Sequence, residues 1–187
     1  VFLTAGTGLG GGLILDGKLY EGATGDAGEA GHVRLSTDGP IGFGKAGSFE
    51  GFCSGGGIAR LAGIRLKESG AQPAWAQVHP LSARIVAEAA TAGEPLALAV
   101  MNESGRRLGE GLAMLIDILN PERIVIGGIF PRCQTLLRPA MEKALRREAL
   151  EIPRNACQVV AAALGETIGS HGAICVALRL LEARDGT

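Results

Sequence analysis

The chain has 187 residues, 47% hydrophobic, 4% aromatic and 20% charged, with a formal net charge of −1. Near-neutrality excludes the electrostatic footprint of a nucleic-acid or anionic-membrane binder, and no apolar run approaches the ~20 residues of a membrane span. Its 30 glycines, about 16% of the chain against roughly 7% in ordinary proteins, lack a Gly-X-Y period and accompany only 8 prolines, which excludes collagen and low-complexity disorder.

A chain of this length buries about 70% of its unfolded surface, enough for one core, so 1–187 is expected to form a single α/β domain. Cys53, Cys133, Cys157 and Cys175 are far apart in apolar settings and read as reduced thiols of a cytoplasmic protein. Val1-Phe2-Leu3-Thr4 lacks the basic start of a signal peptide. It opens without Met inside what reads as a strand, so the chain is expected to be a piece of a longer protein.

Residues 1–4 and 13–15 are predicted as short strands joined by Ala5-Gly6-Thr7-Gly8-Leu9-Gly10-Gly11-Gly12. Asp16-Gly17 is a tight-hairpin signal that turns 13–15 back into a strand over 18–20. A loop runs through Gly39-Pro40, and 49–61 reads as helical, with Ser54-Gly55-Gly56-Gly57 as an interruption or a helix start. The stretch 72–80, carrying Trp75 and His79, has little periodicity and reads as a mobile loop. Helices are predicted over 81–91 and 96–119, the second opened by Glu94-Pro95 and stopped at Asn120-Pro121. A β-branched run over 123–126 reads as a buried strand ending in Gly127-Gly128. An amphipathic helix over 136–150, a strand over 158–162 and a last helix over 172–184 complete an α/β layered domain. Arg106-Arg107 and Arg146-Arg147 read as solvated helix faces.

More than half of the glycines precede residue 60, and the Gly-rich corners are where chemistry is expected. Gly6-Thr7-Gly8 lets backbone N–H groups converge on an anion, with the Thr7 hydroxyl as a further donor. It is neither a Walker loop, since no Gly-Lys-Ser/Thr follows, nor a dinucleotide fingerprint, since a strand follows it. A flexible hairpin tip is the alternative, although three consecutive glycines would then cost backbone entropy for no return. Gly28-Glu29-Ala30-Gly31-His32 holds a carboxylate and an imidazole that could face one polyhydroxyl ligand, or simply lie at the surface. Glu50 has the same two readings. Gly127-Gly128 lies at the carboxyl end of a strand, where open α/β sheets bind ligands, and could admit a ring or a ribose, or serve only as a turn.

Together and in this order, the segment 4–12, Gly28-Glu29-Ala30-Gly31-His32, Gly47-Ser48-Phe49-Glu50 with Ser54-Gly55, Ala92-Gly93-Glu94-Pro95, the stretch from Asn120-Pro121 to Gly128, and Gly169-Ser170-His171-Gly172 resemble the ROK family. That family contains bacterial sugar kinases, including glucokinases, and sugar-responsive transcriptional repressors; the chain looks most like a glucokinase-type kinase. The resemblance implies an actin/hexokinase-type (ribonuclease H-like) ATPase fold of two α/β lobes, of which this chain matches the C-terminal one. It implies ATP phosphate binding by Gly6, Thr7 and Gly8, adenosine binding by Gly127 and Gly128, and sugar binding by Glu29, His32 and Glu50. It further implies Mg²⁺ with the ATP, a hexose or N-acetyl hexosamine substrate, and a homodimer. His171 falls near where the family places the nucleotide, or is simply a surface residue.

The sequence departs from the family in two places. The family commonly binds zinc through a histidine and three cysteines, but Ile41, Phe43 and Ser48 stand where the cysteines would be, so no zinc is expected. Ile41 and Phe43 are expected to hold that loop by burial instead, worth about 1.5–3 kcal/mol per side chain. The family's general-base aspartate falls upstream of Val1, so no catalytic residue is assigned and the chain alone is expected to be inactive. The leading reading is a hexose kinase. The alternative is the sugar-sensing effector domain of a repressor; a dimerisation module using the helices over 96–119 and 172–181 is the third.

Overall fold

A computed structural model describes residues 1–167 together with 171, 172, 174 and 175; most of the helix expected over 172–184 lies outside these residues. The strands are β1 (Phe2–Ala5), β2 (Leu9–Leu15), β3 (Lys18–Tyr20), β4 (Ile41–Gly42), β5 (Lys45–Ala46), β6 (Arg123–Gly128) and β7 (Gln158–Ala161). The helices are α1 (Phe49–Cys53), α2 (Gly55–Ser69), α3 (Ala83–Thr91), α4 (Pro95–Leu119), α5 (Phe130–Glu148) and α6 (Glu151–Ala156).

Five strands form one mixed sheet in the order β3-β2-β1-β6-β7. β1 is central: it pairs antiparallel with β2 and parallel with β6, which pairs parallel with β7. Its alternation is legible in residues, since Leu3 and Ala5 are buried while Thr4 is exposed. The β2–β3 turn is the predicted one, with Asp16 and Gly17 both left-handed (φ 50° and 74°) as a two-residue hairpin of this type requires. β4 and β5 make a separate two-stranded hairpin.

The helices cover the sheet through one core that joins Leu3, Ile124 and Ile126 to Phe49, Phe52, Leu112, Phe130 and Met141. Among the described residues, α4 and α5 make the most extensive helix–helix contact. Gly105 and Gly109, one turn apart on the same face of α4, bring it against the α5 backbone at the carbonyls of Leu137 and Met141. A Cβ at either position would lie inside contact distance of those oxygens. Asn120 ends α4 in the left-handed conformation (φ 43°), as the Asn-Pro stop anticipates. Among the described residues, no helix is long and apolar enough to cross a membrane.

Five expectations are corrected. Residues 9–12 belong to β2 rather than to a loop; a Cβ at Gly11 would meet the Gly28 carbonyl, and Gly28 and Gly31 in turn lie on the Gly11 and Leu9 carbonyls. α5 starts at Phe130, not 136, because Pro131 sits in the first turn, where it costs no hydrogen bond, and α6 follows where no element was expected. The stretch 72–80 is anchored: Ala74–Gln77 is a 3₁₀ turn whose Trp75 indole donates to Glu94 Oε2 at 3.1 Å. Arg107 is not a solvated side chain. Its guanidinium lies 4.5 Å from the Phe52 ring centroid and donates to the Leu35 carbonyl at 3.2 Å, while Arg106, Arg107 and Arg147 converge on Glu110. Finally, Ile41 and Phe43 do not hold their loop by burial, being 55% and 80% exposed. The loop is held by its backbone, through Leu35 N–H and Ser36 N–H donating to the Gly47 carbonyl.

The described cysteines are free. Burial raises the Cys53 thiol far above its ordinary range, outweighing the lowering effect of nearby Arg107, so it is inert in the folded chain.

Candidate functional site

The parallel register of β1 and β6 sets Thr4 opposite Gly127 and Ala5 opposite Gly128, so the two strands end together. Chain continues from one end into Gly6-Thr7-Gly8 and from the other into α5. Ile129 N–H donates to the Ala5 carbonyl at 2.8 Å, tying the two exits. Gly128 has φ +74°, and a Cβ there would meet the Ala5 carbonyl and stand 2.9 Å from Gly6 N. Two of the three Gly-rich corners are therefore in direct backbone contact.

The N-terminus of α2 approaches the same loop. Ser54, fully buried, ends α1 through its N–H and caps α2 through its hydroxyl, which accepts from Gly57 N–H at 2.9 Å. Gly55 N–H donates to the Gly6 carbonyl at 2.7 Å. A Cβ at Gly56 would lie 2.8 Å from the Thr7 carbonyl and 3.3 Å from Arg60 Nη1. Arg60 thus runs back along the helix toward its N-terminus, the direction helical side chains take, and reaches the edge of the loop. The exposed guanidinium has no ion-pair or hydrogen-bond partner among the described residues. Ser54→Ala is expected to cost about 1–2 kcal/mol, the cap plus a buried N–H left without its acceptor, measurable as a lowered urea midpoint at constant m-value.

Glu50 reaches the loop from α1. Ser48 caps that helix, accepting from Gly51 N–H at 3.0 Å, and sets Glu50 in the first turn. Glu50 Oε2 accepts from Leu9 N–H at 3.0 Å, and a Cβ at Gly8 would lie 2.6 Å from the same oxygen. The carboxylate is half-buried, with one oxygen committed to the loop's exit.

Glu29 immediately precedes, and His32 ends, a short 3₁₀ turn, Ala30–His32, packed on both β2 and α1. The packing requires glycine: Gly28 stands against the Gly11 carbonyl, 2.9 Å from where its Cβ would be, and Gly31 on the Leu9 carbonyl. Glu29 is exposed and His32 half-buried. The turn is pinned by Lys45 Nζ, which donates to the His32 carbonyl at 2.7 Å, and by Phe49 N–H on the Val33 carbonyl at 2.8 Å. Among the described residues, no group of three His, Cys, Asp or Glu is arranged to hold a metal.

Beyond Gly128, α3 and α5 enclose a cleft of about 500 Å³, lined among others by Ala83, Ala87, Thr91, Ile129, Cys133 and Leu136. Its walls are mostly apolar, as suits a flat ring.

All the sequence-predicted site residues thus sit on segments meeting at the carboxyl end of β1 and β6 or on the turn packed beside it. Sequence reasoning placed an interruption or a helix start at Ser54, where α1 ends and α2 begins, but missed Lys45 and above all Arg60. The signal for Arg60 was present, since it stands four residues after Gly56 and helical side chains four apart share a face. His171, on the other hand, has Nδ1 2.9 Å from the Thr167 carbonyl and is exposed.

A sequence profile of the ROK family matches residues 1–179. The chain is 37% identical over 180 residues to a glucokinase of Halalkalibacterium halodurans, covering 92% of this chain and 54% of that protein. Its structure is similar to a ROK family glucokinase from Streptomyces griseus in complex with glucose and AMPPNP (TM-score 0.75, 33% identity, 89% of this chain, 56% of the other). It is also similar to a ROK family transcriptional regulator, a homolog of E. coli MLC (TM-score 0.74, 31% identity, 86% of this chain, 41% of the other). The chain thus spans about half the length of the glucokinases it matches. With the mixed sheet, the paired Gly-rich corners and these likenesses in hand, the chain belongs to the ROK family and has its actin/hexokinase-type fold.

Proposed function

We propose that this chain is the C-terminal lobe of a hexose kinase that transfers the γ-phosphoryl group of ATP to a sugar 6-hydroxyl. The observation that carries the reading is the meeting of Gly6-Thr7-Gly8, Gly128 and the Glu50 carboxylate at one end of the sheet. In this reading the loop's N–H groups and Arg60 face the phosphates. Phosphoryl transfer needs little beyond positioning and charge stabilisation, which fixed backbone donors and a guanidinium supply. Gly127-Gly128 and the cleft between α3 and α5 take the adenosine. Glu29, His32 and Glu50 read the sugar hydroxyls, and unpaired partners there penalise a wrong sugar. Mg²⁺ would arrive on the phosphates and neutralise their charge.

The test is an ADP-release assay on the full-length protein with hexoses and N-acetyl hexosamines. Turnover with at least one is expected; none with any member overturns the reading. Arg60→Ala in the same assay is expected to lower kcat about 10²-fold with the sugar KM within twofold, since it removes charge at the phosphates alone. The likeness to a ROK transcriptional regulator favours a second reading, a sugar-sensing effector domain. Sugar binding by calorimetry without ATP turnover would select it.

A further inference from the structure

Phe43 is a residue that neither burial nor turn preference selects: the two-residue turn Phe43-Gly44 between β4 and β5 takes positive φ at both positions, where Asn, Asp or Gly are the favoured residues. It is 80% exposed, so it gains little from the hydrophobic effect. Its φ of +44° lies in the left-handed region, where a bulky side chain is strained. The next residue, Gly44, takes φ +76° at no such cost. What the Phe43 ring does contact is the imidazole of His32, with ring centroids 4.8 Å apart and planes at 77°, an edge-to-face pair.

The hairpin that presents Phe43 is anchored at its base. Ile41 pairs with Ala46 and Gly42 with Lys45, and Gly47 N–H donates to the Pro40 carbonyl at 3.1 Å. Gly42 sits directly on α1: a Cβ there would meet Gly51 N at 2.5 Å and Ser48 Oγ at 2.7 Å. The hairpin therefore springs from the helix that carries Glu50, and it touches His32 twice, by Lys45 Nζ on the carbonyl and by Phe43 on the ring. Fixing the carbonyl alone leaves the imidazole free to turn about its broad χ2. The Phe43 ring packed edge-to-face with it restricts that freedom.

We infer that Phe43 is a positioning residue that holds the His32 imidazole in one orientation for hydrogen bonding to a polyhydroxyl ligand, an assignment that rests on the reading of His32 as a sugar contact. Orientation matters because the two imidazole nitrogens differ, one donating and one accepting in the neutral ring. A ring free to turn presents the wrong nitrogen part of the time, and the ligand must then order it on binding. The turn sets the positive φ at this position; a bulky aromatic there, in place of Asn, Asp or Gly, is what a positional role explains.

The experiment uses the full-length protein with three substitutions, Phe43→Gly, Phe43→Tyr and His32→Ala. Phe43→Gly relieves the positive φ, so its melting temperature should match or exceed the parent's; the variant folds and can be read. The direct readout is the ¹⁵N and ¹H NMR signature of His32. One tautomer with restricted ring motion is expected in the parent and in Phe43→Tyr, and an averaged ring in Phe43→Gly; identical His32 signals in all three overturn the proposal. The second readout is glucose and N-acetylmannosamine affinity by calorimetry. Phe43→Gly should weaken whichever sugar binds about three- to tenfold, the range of an aromatic pair, with Phe43→Tyr close to the parent. In the His32→Ala background, Phe43→Gly should have no further effect. A loss that persists there means that Phe43 touches the sugar itself, which overturns the proposal. If His32→Ala leaves sugar affinity unchanged, the assignment of His32 as a sugar contact fails, while the NMR readout still decides whether Phe43 orients the ring.

Discussion

Glu50→Ala is expected to lower kcat/KM of the full-length enzyme by about 10³-fold and its stability by about 1–3 kcal/mol, the largest loss of activity from any single side chain in this lobe. The two effects share one cause. Glu50 Oε2 is the acceptor of Leu9 N–H, so truncation leaves a part-buried donor unpaired exactly at the exit of Gly6-Thr7-Gly8. A loop that shifts by an ångström costs roughly 10²-fold in positioning, and loss of the carboxylate from the sugar side supplies the remainder. Glu50→Gln separates the two. Its amide oxygen can still accept from Leu9 N–H, so stability should remain within about 0.5 kcal/mol of the parent. Its amide nitrogen and lost charge should still reduce kcat/KM by about 10²-fold. Urea denaturation and steady-state kinetics on the pair decide it, and a Glu50→Ala variant with parental stability would refute the bridge.

Gly128→Ala is expected to be the most destabilising substitution in the site, by about 3 kcal/mol. Its φ of +74° is strained for alanine, and the new Cβ meets the Ala5 carbonyl, which is backbone in the central strand and has nowhere to go. For a chain of this size each kcal/mol shifts the melting temperature by roughly 2–4 °C, so a drop of about 6–12 °C should be seen. Gly127→Ala is the control. Its Cβ would meet only the Phe2 ring, at 3.3 Å, and Ala162 Cβ at 3.6 Å, and a ring can turn aside. The loss there should be under about 1 kcal/mol. Equal losses at the two positions would mean that the contact between β6 and the start of the loop is unimportant.

Local chemistry was legible from residues alone. Asp16-Gly17, the Ser54 break between α1 and α2, the Pro95 start and the Asn120-Pro121 stop all lie where turn and cap preferences put them. What failed were features decided by distant partners. Gly10, Gly11 and Gly12 look like loop residues but lie in β2, and residues 28–31 are laid across it where Gly11 lacks a side chain, since a Cβ there would meet the Gly28 carbonyl. Arg107 looks solvated until Phe52 and the Leu35 carbonyl, 55 and 72 residues away in the chain, come to meet it. In the site, the residue types were visible but the Glu50–Leu9 bond, spanning 41 positions, was not. Phe43 misled in the opposite sense: an apolar residue was assigned to the interior when its ring stands outside, against His32.

The notches at Gly105 and Gly109 limit how this layer can move. They are four residues apart, and so are the carbonyls of Leu137 and Met141 that they receive, so α4 and α5 run parallel in a fixed register. Sliding α5 along α4 would lift those carbonyls out of the notches and drive them into neighbouring side chains. Shear between the two helices is therefore blocked, and any closing motion must be a hinge that carries them, with the strand ends they support, as one rigid piece.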